Sequence, residues 1–484
     1  MNLADLLHAS AARHSGRPAV TDVPSGQTLA YGELGSEAER VARFLLARGV
    51  EPGQRIGLVA PNGPGHVAAA FGLLTAGACL VPVATHLTPT EMAQLLAEVQ
   101  VNGCLSWPGA PTRPAGPGRV RLSGGPCDGF AFEWIDREAE GPAPFRALDP
   151  AFIRFTSGTT DRSKGVVLSH DATAARVQAA DRVLGFHQDD RILWVLPLAY
   201  HFAVTIVAYV RAGAHILICP DTLPGAMLDA IRRLRATVLY ASPLHFERLG
   251  HQGHGPPLAS LRLALSTSAP IAAGVMARFE SAHGVPVSQA YGIIEAGLPC
   301  INVADHAWPP TSVGGAVPGY EVAAFGDDGE RLAPGAPGEI GVRGAGLFSA
   351  YYAPWTPRSQ VERDGWFLSG DIGRIDAAGA LYLEGRKKAL IFVAGLKFFP
   401  EEVEACIDRF PGVRESRVWG QGHPHLGQVP RAEIVVEPPG CDLRALQAHC
   451  ARALSSYKVP LDFTVVEAIA RSPGGKILRR PAAG

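Results

Sequence analysis

The sequence predicts an α/β protein with a large N-terminal body of βα subdomains plus a β-barrel-like subdomain, and a small α+β C-terminal domain. Three observations predict it. Up to about Pro318, short apolar runs rich in Val, Ile and Leu alternate with helical patterns, which argues for βα units and largely parallel sheets. Beyond Pro318 the strand-like runs are split by Gly- and Asp-containing turns, the mark of antiparallel structure. Pro400-Glu401-Glu402-Val403-Glu404 then opens a helix in a mixed tail. The 484 residues allow roughly three domain-sized units, and the expected division is 1–387 and 388–484.

The buried parallel strands are expected at 55–59, 192–195, 215–218, 237–239 and 261–265, each a short apolar run. Thr88-Pro89-Thr90-Glu91 carries a hydroxyl cap, an early proline and a first-turn acid, so a helix starts there. The stretch 107–128 is dense in Pro and Gly and reads as an exposed loop. Antiparallel strands are expected at 321–325, 339–342 and 381–383, with turns at Gly326-Asp327-Asp328-Gly329 and Asp376-Ala377-Ala378-Gly379.

Composition excludes several classes. A hydrophobic fraction of 47% with 18% charged residues describes a folded chain, not a disordered one. The net charge of −1 lacks the basic footprint of a nucleic-acid binder, so an anionic ligand has to be met by local donors. Eight scattered cysteines without a Cys-x-x-Cys pair argue against a disulfide framework or zinc site. The first 20 residues hold no long apolar run, and the apolar run 202–210 ends at Arg211, too short to span a bilayer. A cytoplasmic protein without a membrane partner is expected.

The segment most suited to chemistry is Thr156-Ser157-Gly158-Thr159-Thr160-Asp161-Arg162-Ser163-Lys164-Gly165, set between two strand-like runs. Glycine lets backbone N–H groups approach phosphate oxygens, hydroxyls donate without adding charge, and Lys164 adds a mobile cation. It is not a Walker A loop, because Gly-x-x-x-x-Gly-Lys-Ser/Thr is absent. Taken alone, a Ser/Thr-rich hairpin without a ligand remains the competing account.

The loop resembles the signature Ser/Thr-Ser-Gly-Thr-Thr-Gly-x-Pro-Lys-Gly of the adenylate-forming (ANL) superfamily of acyl- and aryl-CoA synthetases, NRPS adenylation domains and luciferases. It matches at Thr156, Ser157, Gly158, Thr159, Thr160, Lys164 and Gly165, and departs at Asp161 and Ser163. Further segments resemble the family's motifs in the family's order. Gln289-Ala290-Tyr291-Gly292-Ile293-Ile294-Glu295 resembles the aromatic-Gly-x-Thr-Glu motif. By that match Tyr291 packs on adenine, Ala290 and Gly292 lie beside the ligands, and Glu295 helps to hold Mg2+. Trp366-Phe367-Leu368-Ser369-Gly370-Asp371 resembles the ribose-binding segment, with Asp371 on the vicinal hydroxyls. Gly385-Arg386-Lys387-Lys388 resembles the hinge, with Arg386 on the ribose and Lys388 at the pivot of a mobile C-terminal lid. Gly395-Leu396-Lys397-Phe398-Phe399-Pro400 resembles the loop that leaves room for pantetheine. Arg471-Ser472-Pro473-Gly474-Gly475-Lys476-Ile477 resembles the loop whose lysine bridges the substrate carboxylate and the α-phosphate.

The resemblance implies ATP-dependent activation of a carboxylic acid as its acyl adenylate, catalysed by Lys164 and Lys476 with His201. Transfer to a thiol, from CoA or a phosphopantetheine carrier, would follow. His201 lies in Leu196-Pro197-Leu198-Ala199-Tyr200-His201, which resembles the family's acid-site segment, and the uncharged run after it disfavours α-amino acids. Thr267 and Ser268 stand where the family has glycines, which narrows the pocket toward a small or aromatic acid. Other readings stay open: a stand-alone ligase loading an acyl carrier protein, adenylation of another oxyanion such as nitrite, and a degenerate ATP-binding homologue. Asp161, Ile294 and Ala389 are the departures that motivate the last.

Overall fold

The computed structural model describes residues 1–110, 119–155, 165–203, 205–252, 255–304, 308–393, 396–424, 426–438, 440–471 and 477–478. Among these residues the chain forms four sheets. The first has parallel strands Pro18–Asp22, His215–Ile218, Arg191–Trp194, Val238–Ala241, Leu263–Ser266 and Val287–Ile293. The second has parallel Gly103–Ser106, Arg55–Val59, Cys79–Val83 and Pro150–Phe155 at its centre. Both are finished by antiparallel edges, such as Gly297–Asn302 in the first and Gly165–Ser169 in the second. The sheets are therefore mixed. The apolar runs became the central strands because burial on both faces demands continuous hydrophobicity; Arg55–Val59 and Cys79–Val83 are buried throughout.

The expected helix after Thr88 is Pro89–Glu98. The Thr88 hydroxyl accepts from Glu91 N at 3.3 Å, and the Glu91 carboxylate accepts from Thr88 N at 2.8 Å, so two orphan amides of the first turn are satisfied. Where a loop was expected over 107–128, Val120–Arg121 pairs antiparallel with Ala131–Trp134 and ends the second sheet. Both its residues are exposed, so this edge strand has no apolar signature.

The β-rich subdomain is a five-stranded antiparallel sheet: Tyr320–Phe325, Gly338–Gly344, Trp366–Ile375, Glu362–Arg363 and Leu381–Arg386. The C-terminal segment is built on the long hairpin of Val413–His423 with Gly427–Val436. Helices Pro400–Ile407 and Leu443–Ala453 pack with it, and the core of Ile391, Val403, Ile407, Val418, Ile434 and Leu446 is separate from that of the body. No helix among the described residues is long and apolar enough to cross a membrane.

Candidate functional site

The ends of the candidate phosphate loop are fixed by the hairpin that carries it. Phe155 pairs with Gly165 across the antiparallel strands Pro150–Phe155 and Gly165–Ser169. Thr156, Ser157, Gly158, Thr159, Thr160 and Lys164, with Asp161 and Ser163, lie outside the described residues. Gly165 is a packing glycine: a methyl group there would come within 3.1 Å of both Ile153 and Tyr352. The strand Ala350–Tyr351 adds to the outer edge, opposite Val167 and Val166. From it the Tyr351 hydroxyl donates to Glu295 Oε1 at 3.0 Å. Loop anchor and candidate metal ligand are thus linked by one residue, which the sequence does not advertise.

Glu295 is held through its backbone as well. Its carbonyl accepts from Phe348 N at 2.7 Å and from Arg176 Nη2 at 3.1 Å. Arg176, on the helix His170–Leu184, also donates to the carbonyls of Ile294 at 2.9 Å and Gly346 at 2.5 and 2.9 Å. Its stem fits because Gly346 and Gly297 lack side chains; a methyl group at Gly346 would lie 2.7 Å from Arg176 Cβ. Among the described residues one Glu295 oxygen meets a neutral hydroxyl and the other has no hydrogen-bond partner, which suits Mg2+, an ion that takes one or two protein carboxylates and completes its shell with phosphates and water.

At the other end, Asp371 and Arg386 face each other across antiparallel strands. Arg386 Nε lies 2.8 Å from Asp371 Oδ1, and the Tyr291 hydroxyl donates to Asp371 Oδ2 at 2.6 Å. Asp371 is 6% exposed. Burial, then the neighbouring Asp371 charge, pushes the Tyr291 phenol well above its ordinary range, so Tyr291 is a fixed donor. A methyl group at Gly292 would meet Leu298 at 2.7 Å and the Gly297 carbonyl at 3.1 Å, so its smallness serves the hairpin with Gly297–Asn302. Ala290 is buried in the same strand.

The expected acid site gathers His201, Trp194 and Tyr240. The His201 ring meets Trp194 edge-on at 5.8 Å and Tyr240 at 6.4 Å, while Trp194 and Tyr240 stack at 5.4 Å. Asn62, missed by sequence reasoning, pins this segment: its amide donates to Leu196 O at 2.8 Å and its oxygen accepts from Leu198 N at 2.9 Å. Burial pushes Tyr240 up to about 12, with Thr267 and Arg154 alongside it opposing the shift. Thr267 is buried, and Ser268 holds φ +78°. That left-handed backbone is the physical reason a glycine suits the position. Ser268→Gly is expected to raise the free energy of unfolding by about 1–2 kcal/mol in urea titrations, whereas Ser268→Ala gives no gain.

His66 lies behind this cluster, its ring stacked on Phe202 at 6.3 Å and its Nδ1 3.1 Å from the Ala60 carbonyl, to which it donates. Nε2 is sealed without a partner among the described residues, and burial holds the imidazole down at about 4. Because the folded-state value lies below the free value of 6.5, the stability linked to the neutral ring is complete above pH 6.5 and lost as pH falls toward 4. The wild type is expected to lose about 3 kcal/mol more than His66→Phe over that interval. Parallel stability curves from pH 7 to 4 would contradict the assignment.

Lys476 lies outside the described residues, and of Lys388 only the backbone is described, in the short turn Lys387–Ala389. The ends of the Lys476 loop are described: Arg471 and Ile477 form an antiparallel bridge, Arg471 pairs with Glu415, and Arg417 Nη1 donates to Leu478 O at 2.6 Å.

Residues 7–352 match the AMP-binding enzyme family, and residues 402–476 match the AMP-binding enzyme C-terminal domain. The chain belongs to the AMP-binding enzyme family. This AMP-binding enzyme is 30% identical to a sulfoacetate–CoA ligase of Cupriavidus necator, across 99% of this chain and 96% of the relative. It is also 30% identical to a feruloyl-CoA synthase of Amycolatopsis sp, across 98% and 95%. ATP-bound MatB from Rhodopseudomonas palustris shares its fold with a TM-score of 0.82 at 26% identity, covering 99% of this chain and 97% of that one. The adenylate-forming superfamily expected from the motifs is thereby established, and with it the class of ATP-dependent ligase.

Proposed function

We propose that this AMP-binding enzyme activates a small or aromatic carboxylic acid as its acyl adenylate and passes the acyl group to the thiol of CoA. In the first half-reaction a carboxylate oxygen attacks the α-phosphorus of ATP; the P–O bond to the β-phosphate breaks and pyrophosphate leaves. No general base is needed, since the carboxylate is already ionised at neutral pH. In the second, the thiol attacks the acyl carbon, AMP leaves with the oxygen that the acid supplied, and the thiol proton goes to solvent.

The observation that carries this reading is Asp371, held between Tyr291 and Arg386 in a chain whose Glu295 is clamped by Arg176 and Tyr351. Asp371 and Arg386 take the ribose, Tyr291 packs on adenine, and Glu295 holds Mg2+, which when bound screens phosphate charge. Thr156, Ser157, Gly158, Thr159, Thr160 and Lys164 cradle the β- and γ-phosphates, while Lys476 spans the carboxylate and α-phosphate. Lys388 is the pivot between a body of 1–387 and a lid of 388–484. The sulfoacetate, feruloyl and indoleacetate CoA ligases among its relatives support CoA as the acceptor.

Pyrophosphate release screened against carboxylic acids and nitrite, with CoA, with a phosphopantetheine carrier and without either, tests the proposal. It expects release with an acid and an acyl-CoA product. Release with nitrite alone, a product only on the carrier, or no release at all would contradict it.

A further inference from the structure

Arg154 interrupts an otherwise apolar strand, Pro150-Ala151-Phe152-Ile153-Arg154-Phe155. It is 7% exposed and has no hydrogen-bond or ion-pair partner among the described residues. Buried arginine is ordinarily paired, because an uncompensated charge in a low-dielectric interior is costly.

Its position on the strand says what it faces. Side chains two apart on a strand share a face, so Arg154 points the same way as Phe152. The Phe152 ring lies 6.2 Å from Phe202, which follows His201 directly. Tyr240, already placed against His201, lies near enough to act on the Arg154 charge. Arg154 therefore faces the acid site, one step nearer the phosphate loop than Phe152.

Among the described residues no group neutralises it by direct contact. Tyr240 is a neutral phenol, pushed up by burial. Glu295 exerts a favourable pull without a hydrogen bond to Arg154, and its Oε1 already serves Tyr351. Arg176 is a second cation nearby, and burial together with that repulsion lowers the Arg154 guanidinium to about 9. An anion bound at the acid site would satisfy a fork of donors that the described residues leave unpaired.

We propose that Arg154 determines specificity in the acid site by binding a second anionic group, a carboxylate or sulfonate, on the acid whose first carboxylate is adenylated. This rests on the acyl-adenylate reading above. A local rule broken without a compensating contact is the usual mark of a site shaped for a ligand.

The test uses matched acids: butyrate against succinate and 3-sulfopropionate, and 4-methylbenzoate against terephthalate, read as kcat/KM for pyrophosphate release. The wild type is expected to favour the dianionic member by about 10²-fold or more, because a monoacid leaves the guanidinium unpaired. Arg154→Met is expected to abolish that preference through the KM for the acid, leave the KM for ATP unchanged, and raise Tm by a few degrees as the buried charge is removed. Arg154→Lys should retain part of the preference.

A wild type that prefers monoacids overturns the second-anion site while leaving adenylate formation intact. A KM for ATP that rises equally with every acid places Arg154 on the nucleotide and also overturns it. If no acid releases pyrophosphate, the reading beneath the proposal falls with it.

Discussion

Replacing Lys476 by alanine is expected to slow pyrophosphate release by about 10²–10³-fold, the scale of one lost electrostatic contact to a developing charge. Thioester formation from a supplied acyl adenylate should be largely spared, because the role proposed for the lysine is confined to the first half-reaction. The ends of its loop are pinned to one strand, Val413–His423, through Glu415 and Arg417. Alanine is therefore expected to remove a charge while leaving those two anchors in place, so that the partial reactions can be read separately. Normal pyrophosphate exchange in this variant would show that the role belongs to another residue.

Arg176→Met is expected to cost about 3–5 kcal/mol of stability, the range for breaking up a buried charged hydrogen-bond set. The guanidinium serves three backbone carbonyls, those of Ile294, Glu295 and Gly346, and methionine would leave all of them without that donor. The 1% exposure of Arg176 leaves little room for water to substitute. Because two of those carbonyls flank the candidate metal ligand, the surviving folded fraction should also need more Mg2+ for half-maximal activity. Denaturant unfolding measures the first effect and a magnesium titration at saturating ATP the second. A variant with unchanged stability and unchanged magnesium dependence would show that Glu295 is held by Phe348 and Tyr351 alone.

The sequence made the parallel strands readable where a strand is buried on both faces and so must be uniformly apolar: Arg55–Val59 and His215–Ile218 carry the expected bounds. It could not mark strands that exist by edge pairing alone. Val120–Arg121 and Ala350–Tyr351 are two residues each and owe their geometry to a neighbouring strand. Tyr291, Asp371 and Arg386 could be named from motif order, and the structure brings them into direct contact.

Their supports were not legible. Arg176 looks like any polar residue on an amphipathic helix until two glycines more than 100 positions away, Gly297 and Gly346, are seen to admit it. Asn62 and Tyr351 act only through tertiary contacts with segments distant in the chain. Ser268 shows the reverse case, where the resemblance flagged a lost glycine and only the backbone angle of +78° explains why glycine suits the position.

The central claim, attack of a carboxylate oxygen on the α-phosphorus, is tested most directly by following that oxygen. With an acid labelled in both carboxylate oxygens with oxygen-18, ATP and CoA, mass spectrometry of the products should find one labelled oxygen in AMP and the other in the acyl thioester. Unlabelled AMP, or formation of ADP and phosphate in place of AMP and pyrophosphate, would contradict it.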